Sequence, residues 1–431
     1  MDLLAAMLRW RPMVEIPASG IRRVAIVGGG PAGATLATLL ARRGLDVVVF
    51  ARNKRPPLVI GESLVPAVVP YLRELGIEPE VASYSTWKPG ATFVLDPSDH
   101  MSFTFAQVRK AVTNYSYNVP RDLFDESIRQ AAIRAGAKLF DVTARLERQG
   151  DTDRLRLSEE TLAATQGALS GQPDLIVDAS GRVRLIANAL GLPTETGPRR
   201  DTALFAHLEG VPLVCEGHVH TDRMDRGWCW RIPLPGRVSV GLVVPSDFIR
   251  GFGDTIEEQY DNYLRKDGTT GAWGSSVKRL TPVLKYTNYQ LVTLRGAGPN
   301  WVLVGDAFGF IDPVFSSGLL VGFDAAALLA KTIGTPSARG FEVYEKHVKD
   351  HLRAWHRVVG YYYNGRLFTL LKLGNTVRHT LLGRVMNWHF ETHLPRVFTG
   401  EATTRRYSRG LLHFMTQYGL ARNDPSRLQV K

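Results

Sequence analysis

The chain has 431 residues, of which 44% are hydrophobic, 22% charged and 9% aromatic, and it carries a formal net charge of +12. That mix excludes a disordered or low-complexity protein, and the length suffices for a large core in one composite body or in two or three lobes. Two cysteines, Cys215 and Cys229, exclude a disulfide framework and a cysteine-based metal centre.

Residues 1–20 hold two short apolar patches broken by Arg9 and Arg11, without the basic start, apolar stretch and cleavage site of a signal peptide. No uninterrupted run of about 18 apolar residues follows, so a cytoplasmic chain with no transmembrane segment is expected. Val24-Ala25-Ile26-Val27 reads as a strand and Gly28-Gly29-Gly30-Pro31-Ala32-Gly33 as a tight turn. Ala34–Arg43 reads as a helix ended by Gly44, and Asp46–Phe50 as a second strand. Trp87–Phe105 is strand-like, Arg121–Ala135 is a helix stopped by Gly136, and Asp174–Asp178 is an apolar strand running into Ala179-Ser180-Gly181. Thr202–Val244 alternates as antiparallel strands do. Trp301–Val304 is a further buried strand, leading through Gly305-Asp306 and the turn-rich Phe310–Gly318 into a helix over Leu319–Ile333.

From Pro336 to near Tyr418 the pattern is helical, with breaks at Gly374, Pro395 and Gly400. The last 96 residues hold 16 Lys and Arg against 6 Asp and Glu, dispersed among apolar residues, which reads as the solvated face of helices rather than a nucleic-acid site. Strands alternating with helices, plus the antiparallel stretch, predict an α/β body carrying a second sheet and a helical cap.

Gly28, Gly30 and Gly33 supply a tight turn, a close backbone approach and a helix–strand contact, and a pyrophosphate would sit on the free N–H groups of the helix start. The carboxylate that usually ends the second strand and holds the adenosine ribose is missing; Phe50 is followed by Ala51, Arg52 and Asn53. Asp306 closes a later strand, where it can bond a ribityl hydroxyl or simply cap a helix.

At these residues the chain resembles the flavoproteins with two dinucleotide-binding regions, the group containing aromatic hydroxylases and flavin-dependent halogenases. The resemblance spans roughly residues 21–335 and adds Gly61-Glu62-Ser63, Asn118-Val119-Pro120-Arg121 and Asp178-Ala179-Ser180-Gly181. It implies a Rossmann-like FAD-binding domain of the glutathione-reductase type over 1–335. A substrate-side antiparallel sheet (roughly 85–107 and 200–295) would interleave with it, and a C-terminal helical region would cover 336–431. FAD contacts are then expected from Gly28, Gly30, Ala32, Gly33, Glu62, Ser63, Arg121, Asp306 and Pro313.

Three features resemble the halogenase branch. Trp228-Cys229-Trp230-Arg231-Ile232-Pro233 matches its Trp-x-Trp-x-Ile-Pro signature, and residues 228, 230 and 232 would share one face of a strand. Lys88 lies 26 residues after Glu62 and just ahead of Gly90-Ala91-Thr92-Phe93, where that branch carries its catalytic lysine. Phe310-Ile311-Asp312-Pro313-Val314-Phe315-Ser316-Ser317-Gly318 matches Phe-x-x-Pro-x-x-Ser-x-Gly, whose backbone amides, here at Ser316, Ser317 and Gly318, bind halide.

The resemblance implies an enzyme that uses FAD, delivered reduced by a separate flavin reductase, with oxygen and chloride or bromide to form hypohalous acid. Trp228 and Trp230 would wall off the flavin, and Lys88 would aim the oxidant at a ring. Phe315 replaces the glutamate that tryptophan-directed members place before the serine, which points to a more activated small aromatic substrate. A phenol or pyrrole fits, free or tethered to an acyl or peptidyl carrier protein that the basic tail would suit. An FAD monooxygenase acting on an aromatic or isoprenoid, and a non-catalytic flavoprotein scaffold, remain as alternatives.

Overall fold

A computed structural model describes residues 14–52, 58–377, 393, 395–403, 405–419 and 424–431. Its first sheet has six strands, in spatial order Ala297–Gly298, Trp301–Leu303, Leu175–Asp178, Arg23–Val27, Asp46–Phe50 and Lys138–Phe140. All neighbours run parallel except the edge pair of Ala297–Gly298 with Trp301–Leu303. Parallel strands covered on both faces need unbroken apolar runs, and Val24–Val27, Val47–Phe50 and Leu175–Val177 supply them. Helix Pro31–Ala41 lies against this sheet and packs between Arg121–Arg134 and Ser317–Gly334.

Ser317–Gly334 is apolar and long enough, at a mean hydropathy of 1.3, to cross a membrane by composition. Most of it is packed inside the body, between Pro31–Ala41 and the long helix Ala338–Tyr363. A helix apolar nearly all round is a core helix when neighbours cover it, and Asp324 and Lys331 interrupt the apolar run.

The second sheet runs, in spatial order, Gly309–Phe310, Leu284–Thr293, Thr194–Glu209, Arg237–Pro245, Trp228–Leu234, Val219–Arg223, Gly90–Asp96 and Asp99–Thr104, with Lys278–Arg279 also paired to Thr194–Glu209. It is not wholly antiparallel: Val219–Arg223 pairs parallel with Gly90–Asp96. More than 100 residues separate the two strands, room for the crossover that a parallel pair needs.

The helical break expected at Gly374 is absent, because Arg366–Val377 runs through it. An isolated glycine weakens a helix by only about 1 kcal/mol relative to alanine, which packing can carry. The chain turns instead at Gly365 (φ 76°), where a Cβ would lie 2.3 Å from the Pro425 carbonyl oxygen. Pro395 and Gly400 do bound a short helix, Arg396–Thr399.

Candidate active site

One cavity of about 260 Å³ runs between the two sheets. Its lining includes Gly30, Pro31 and Ala32, then Arg121, Asp306 and Gly318, and also Trp228, Trp230 and Ile232.

The glycine turn is shaped for an anionic cofactor. A Cβ on Gly28 (φ 114°) would lie 2.2 Å from the Ala179 carbonyl oxygen, and one on Gly33 would lie 2.1 Å from the Gly28 carbonyl oxygen. These two glycines let strand and helix close together. Gly30 has open space where a Cβ would sit, and it precedes the helix Pro31–Ala41 with no side-chain cap and no acidic residue in the first turn. Pro31 takes the helical position that needs no N–H, and with Ala32 it lines the cavity at the helix start. Gly305 (φ 63°) comes close to Ala32, since a Cβ on it would lie 3.0 Å from the Ala32 methyl. An uncapped, uncharged helix start facing a cavity fits a pyrophosphate, as FAD requires.

Arg121 opens its helix with a buried guanidinium that bonds both Asp125 oxygens at 2.8 and 3.1 Å and also the Ile60 carbonyl. Burial works against its charge, and Asp125, Glu62 and Asp306 more than offset this. Burial pushes the Asp306 carboxyl up to about 6, against the pull of Arg182 and Arg121. Gly61 and Ser63 line the cavity on either side of Glu62, whose own carboxylate instead bonds His207 Nε2 at 2.8 Å. Arg237 Nε donates to His207 Nδ1 at 3.0 Å, which leaves Nε2 to carry the proton toward Glu62. At the end of the second strand the Ala51 methyl lies 2.6 Å from where a Gly29 Cβ would be, so small residues fill the place of the missing carboxylate. Asn53 lies outside the described residues.

A second uncapped helix start meets the same cavity. Ser316 adopts a left-handed conformation (φ 53°) ahead of Ser317–Gly334, with neither a side-chain cap nor an acidic residue in the first turn. Ser316 and Gly318 line the cavity; Ser317 is buried behind it, at a small hollow shared with Asp306. Pro313 and Asp312 line it as well. Phe315 packs away from the cavity into core, with ring centroids 5.8 Å from Tyr362 and 6.1 Å from Trp355.

Trp228, Trp230 and Ile232 alternate along one strand, and all three line the cavity. The two indoles lie 5.9 Å apart. Trp230 Nε1 donates to Ser239 Oγ at 3.2 Å, and Trp228 Nε1 to the Tyr363 hydroxyl at 2.9 Å. Trp230 lies across Gly241, its direct cross-strand partner, where a Cβ would fall 2.1 Å from the indole. Sequence reading missed Gly241, although a glycine inside a strand signals close approach. It also missed Tyr363, which lies 135 residues from Trp228 and carries no local signal.

Lys88 does not line the cavity. It is 2% exposed on the short strand Thr86–Lys88, and Nζ donates to the Leu64 carbonyl at 2.7 Å. Burial lowers its pKa to about 7. Its strand pairs with Ser116–Asn118, and Ser63 bridges the other side of Asn118. By register Lys88, Ser116, Asn118 and Ser63 share one face of this ribbon. Among the described residues Ser63 Oγ, Ser116 Oγ and Asn118 Oδ1 are buried without a hydrogen-bond partner. Such orphans cost stability and mark a place for a small polar guest. Ser63 is the one that also lines the cavity, so the lysine stands one residue layer behind its wall. Among the described residues no carboxylate pairs with Lys88, and a buried ammonium so placed is kept at a cost. Lys88→Met is therefore expected to raise Tm by a few degrees at pH 6. Because the folded pKa is depressed, the gain should shrink as pH rises from about 7 toward the unfolded value, which thermal melts across pH 6 to 10 would check.

Among the described residues Asp324, His347 and His351 form the one three-membered group with metal-ligand spacing, where sequence reading expected no metal. Trp355 Nε1 donates to His351 Nε2 at 3.2 Å, which puts the His351 proton on Nδ1, facing Asp324. Burial would raise Asp324, yet hydrogen bonds from His347 and His351 hold it well below the usual carboxylate range. The group is a hydrogen-bonded clamp between two helices.

The family model described as "Tryptophan halogenase" matches residues 23–113 and 104–365. A tryptophan 2-halogenase of Chondromyces crocatus is 29% identical over 86% of this chain and 73% of the relative. A 1H-pyrrole-2-carbonyl-[peptidyl-carrier protein] chlorinase of Pseudomonas fluorescens is 26% identical over 79% of this chain and 83% of the relative. The solved structure of the halogenase PltM in complex with phloroglucinol and FAD shares the fold, with a TM-score of 0.69 at 18% identity over 92% of this chain and 91% of that one. The family match spans both sheets, both uncapped helix starts and the paired indoles, and the chain belongs to the tryptophan halogenase family of flavin-dependent halogenases.

Proposed function

We propose that this halogenase carries chlorine or bromine, as hypohalous acid, from the halide end of the cavity to an electron-rich phenol or pyrrole under the direction of Lys88. The observation that carries this reading is one cavity lined by both uncapped helix starts and by the paired indoles, with Lys88 behind Ser63 in its wall and bonded to the Leu64 carbonyl. Bound FAD, reduced by a separate flavin reductase, supplies with oxygen the two-electron oxidation of halide.

The chain's own residues do the rest. First-turn amides after Gly30 hold the pyrophosphate, while Arg121 and Asp306 face the cofactor from the cavity wall. Amides after Ser316 hold halide, where the helix dipole favours an anion. Trp228, Trp230 and Ile232 keep water from the oxidant. Lys88 Nζ binds the hypohalous oxygen and fixes which carbon is attacked. In this reading residues 1–335 are the FAD-binding part, interleaved with the substrate-side sheet, and 336–431 form the helical cap.

Phe315 supports an activated ring. Its position offers core packing and no carboxylate to stabilise a cationic indole intermediate. The carrier-tethered substrate named for the Pseudomonas relative extends the reading to a tethered pyrrole or phenol, and exposed Arg405 and Arg406 would suit an acidic carrier.

The test mixes purified protein with reduced FAD and oxygenated buffer, with and without bromide or chloride, and a 1,3-diketone trap for hypohalous acid. Halogenated trap that requires halide is expected. Flavin reoxidation indifferent to halide, with hydroxylation of an added phenol, would move the assignment to a monooxygenase.

A further inference from the structure

Asp312 puts a carboxylate inside the segment that the proposed function gives to halide. It is 3% exposed and lines the cavity. An anion site beside a bare carboxylate is self-defeating, because like charges in a poorly solvated site repel strongly. The surroundings answer that charge. Asp312 Oδ1 accepts the Val314 N–H at 3.0 Å, and Oδ2 accepts the Tyr363 hydroxyl at 3.1 Å. The same hydroxyl oxygen accepts Trp228 Nε1–H at 2.9 Å. Arg199, bonded to Asp201 at 2.7 Å, lays its guanidinium 3.7 Å from the Tyr363 ring centroid.

Tyr363 thus joins three elements that the sequence keeps far apart: the halide segment, the indole-bearing strand and the end of the helix Ala338–Tyr363. Its backbone is fixed independently, since its carbonyl accepts the Val430 N–H at 2.9 Å. Removing the hydroxyl should therefore change the hydrogen bonds and leave the chain path alone. We propose that Tyr363, backed by Arg199, is a positioning residue for halide: its O–H draws the Asp312 charge away from the anion, and its oxygen fixes the indole that walls the same cavity. The inference rests on the halogenase reading of the Phe310–Gly318 segment.

The adjacent residue supplies a control. Tyr362 is fully buried, and its hydroxyl meets no hydrogen-bond partner among the described residues. Tyr362→Phe removes a hydroxyl from the same core without touching Asp312. With the 1,3-diketone trap, saturating reduced FAD and oxygen, Tyr363→Phe is expected to raise the bromide KM about tenfold, with kcat within about threefold of the parent. Tyr362→Phe should leave the bromide KM within about twofold. Adding Asp312→Asn to Tyr363→Phe should bring the KM back toward the parent value, because the uncovered charge is gone.

If Tyr363→Phe proves insoluble, Arg199→Gln replaces it. That change should raise the bromide KM about threefold, and Arg199→Lys, which keeps the charge, should restore it. A bromide KM that stays at the parent value in Tyr363→Phe, or that rises equally in Tyr362→Phe, overturns the inference while leaving the proposed function standing. A parent enzyme whose trap chemistry needs no halide overturns the proposed function itself.

Discussion

Lys88→Ala is expected to lower ring halogenation by about 10³-fold while hypohalous acid is still formed and trapped, the scale of removing a group that positions and polarises a reacting atom. In the proposed reading halide is oxidised at the amides after Ser316, which lines the cavity, whereas Lys88 stands behind the cavity wall and touches none of them. The oxidant should accordingly be made at the parent rate and lost to the trap. Lys88→Met separates chemistry from packing, because it keeps the side-chain volume and removes only the amine. Equal loss in both variants assigns the effect to nitrogen. Halogenated ring at the parent level in either one would refute the role. With a folded pKa of about 7, the amine titrates where the enzyme is assayed. Ring product per oxidant formed that rises with pH through that value assigns the free amine, and a fall assigns the ammonium as hydrogen-bond donor.

The parts of this site that the sequence made legible are those with short-range signatures. The glycine turn, the helix starting at Pro31, the alternating Trp228-Trp230-Ile232 face and the turn before Ser317 each need only neighbours within a few residues. Partners set by tertiary folding were not legible. Glu62 was expected at the cofactor and instead bonds His207, 145 residues away, because a buried carboxylate goes to whatever donor the second sheet brings to it. Ser317 was grouped with Ser316 and Gly318, but helical geometry turns it behind the cavity wall. The second sheet was expected to be antiparallel throughout; alternation reveals a strand but not the direction of its neighbour, so the parallel pair Val219–Arg223 with Gly90–Asp96 was invisible. Gly374 predicts a helix break, yet Arg366–Val377 runs through it, because packing outweighs the propensity of one glycine.

The largest expected effect without any change in a reacting group lies at Gly241. Trp230 is held between its own hydrogen bond to Ser239 and the bare backbone of Gly241, with Phe205 5.8 Å away on its flank. Gly241→Ala would set a methyl 2.1 Å from the indole, which lines the cavity. Overpacking of this kind costs about 1–3 kcal/mol of stability. A displacement of about 1 Å at a positioned group can cost roughly 10²-fold in rate, and that loss of trap halogenation is expected here. Trp230→Ala should behave differently. It deletes a large buried side chain at about 3–5 kcal/mol, but it opens the cavity instead of filling it, so FAD affinity should hold while oxidant escapes from the ring to the trap. In the double variant Gly241→Ala with Trp230→Phe, the smaller ring makes room for the methyl, and part of the lost activity should return. If the double variant is no better than Gly241→Ala alone, the damage runs through the strand backbone, and the indole is core rather than wall.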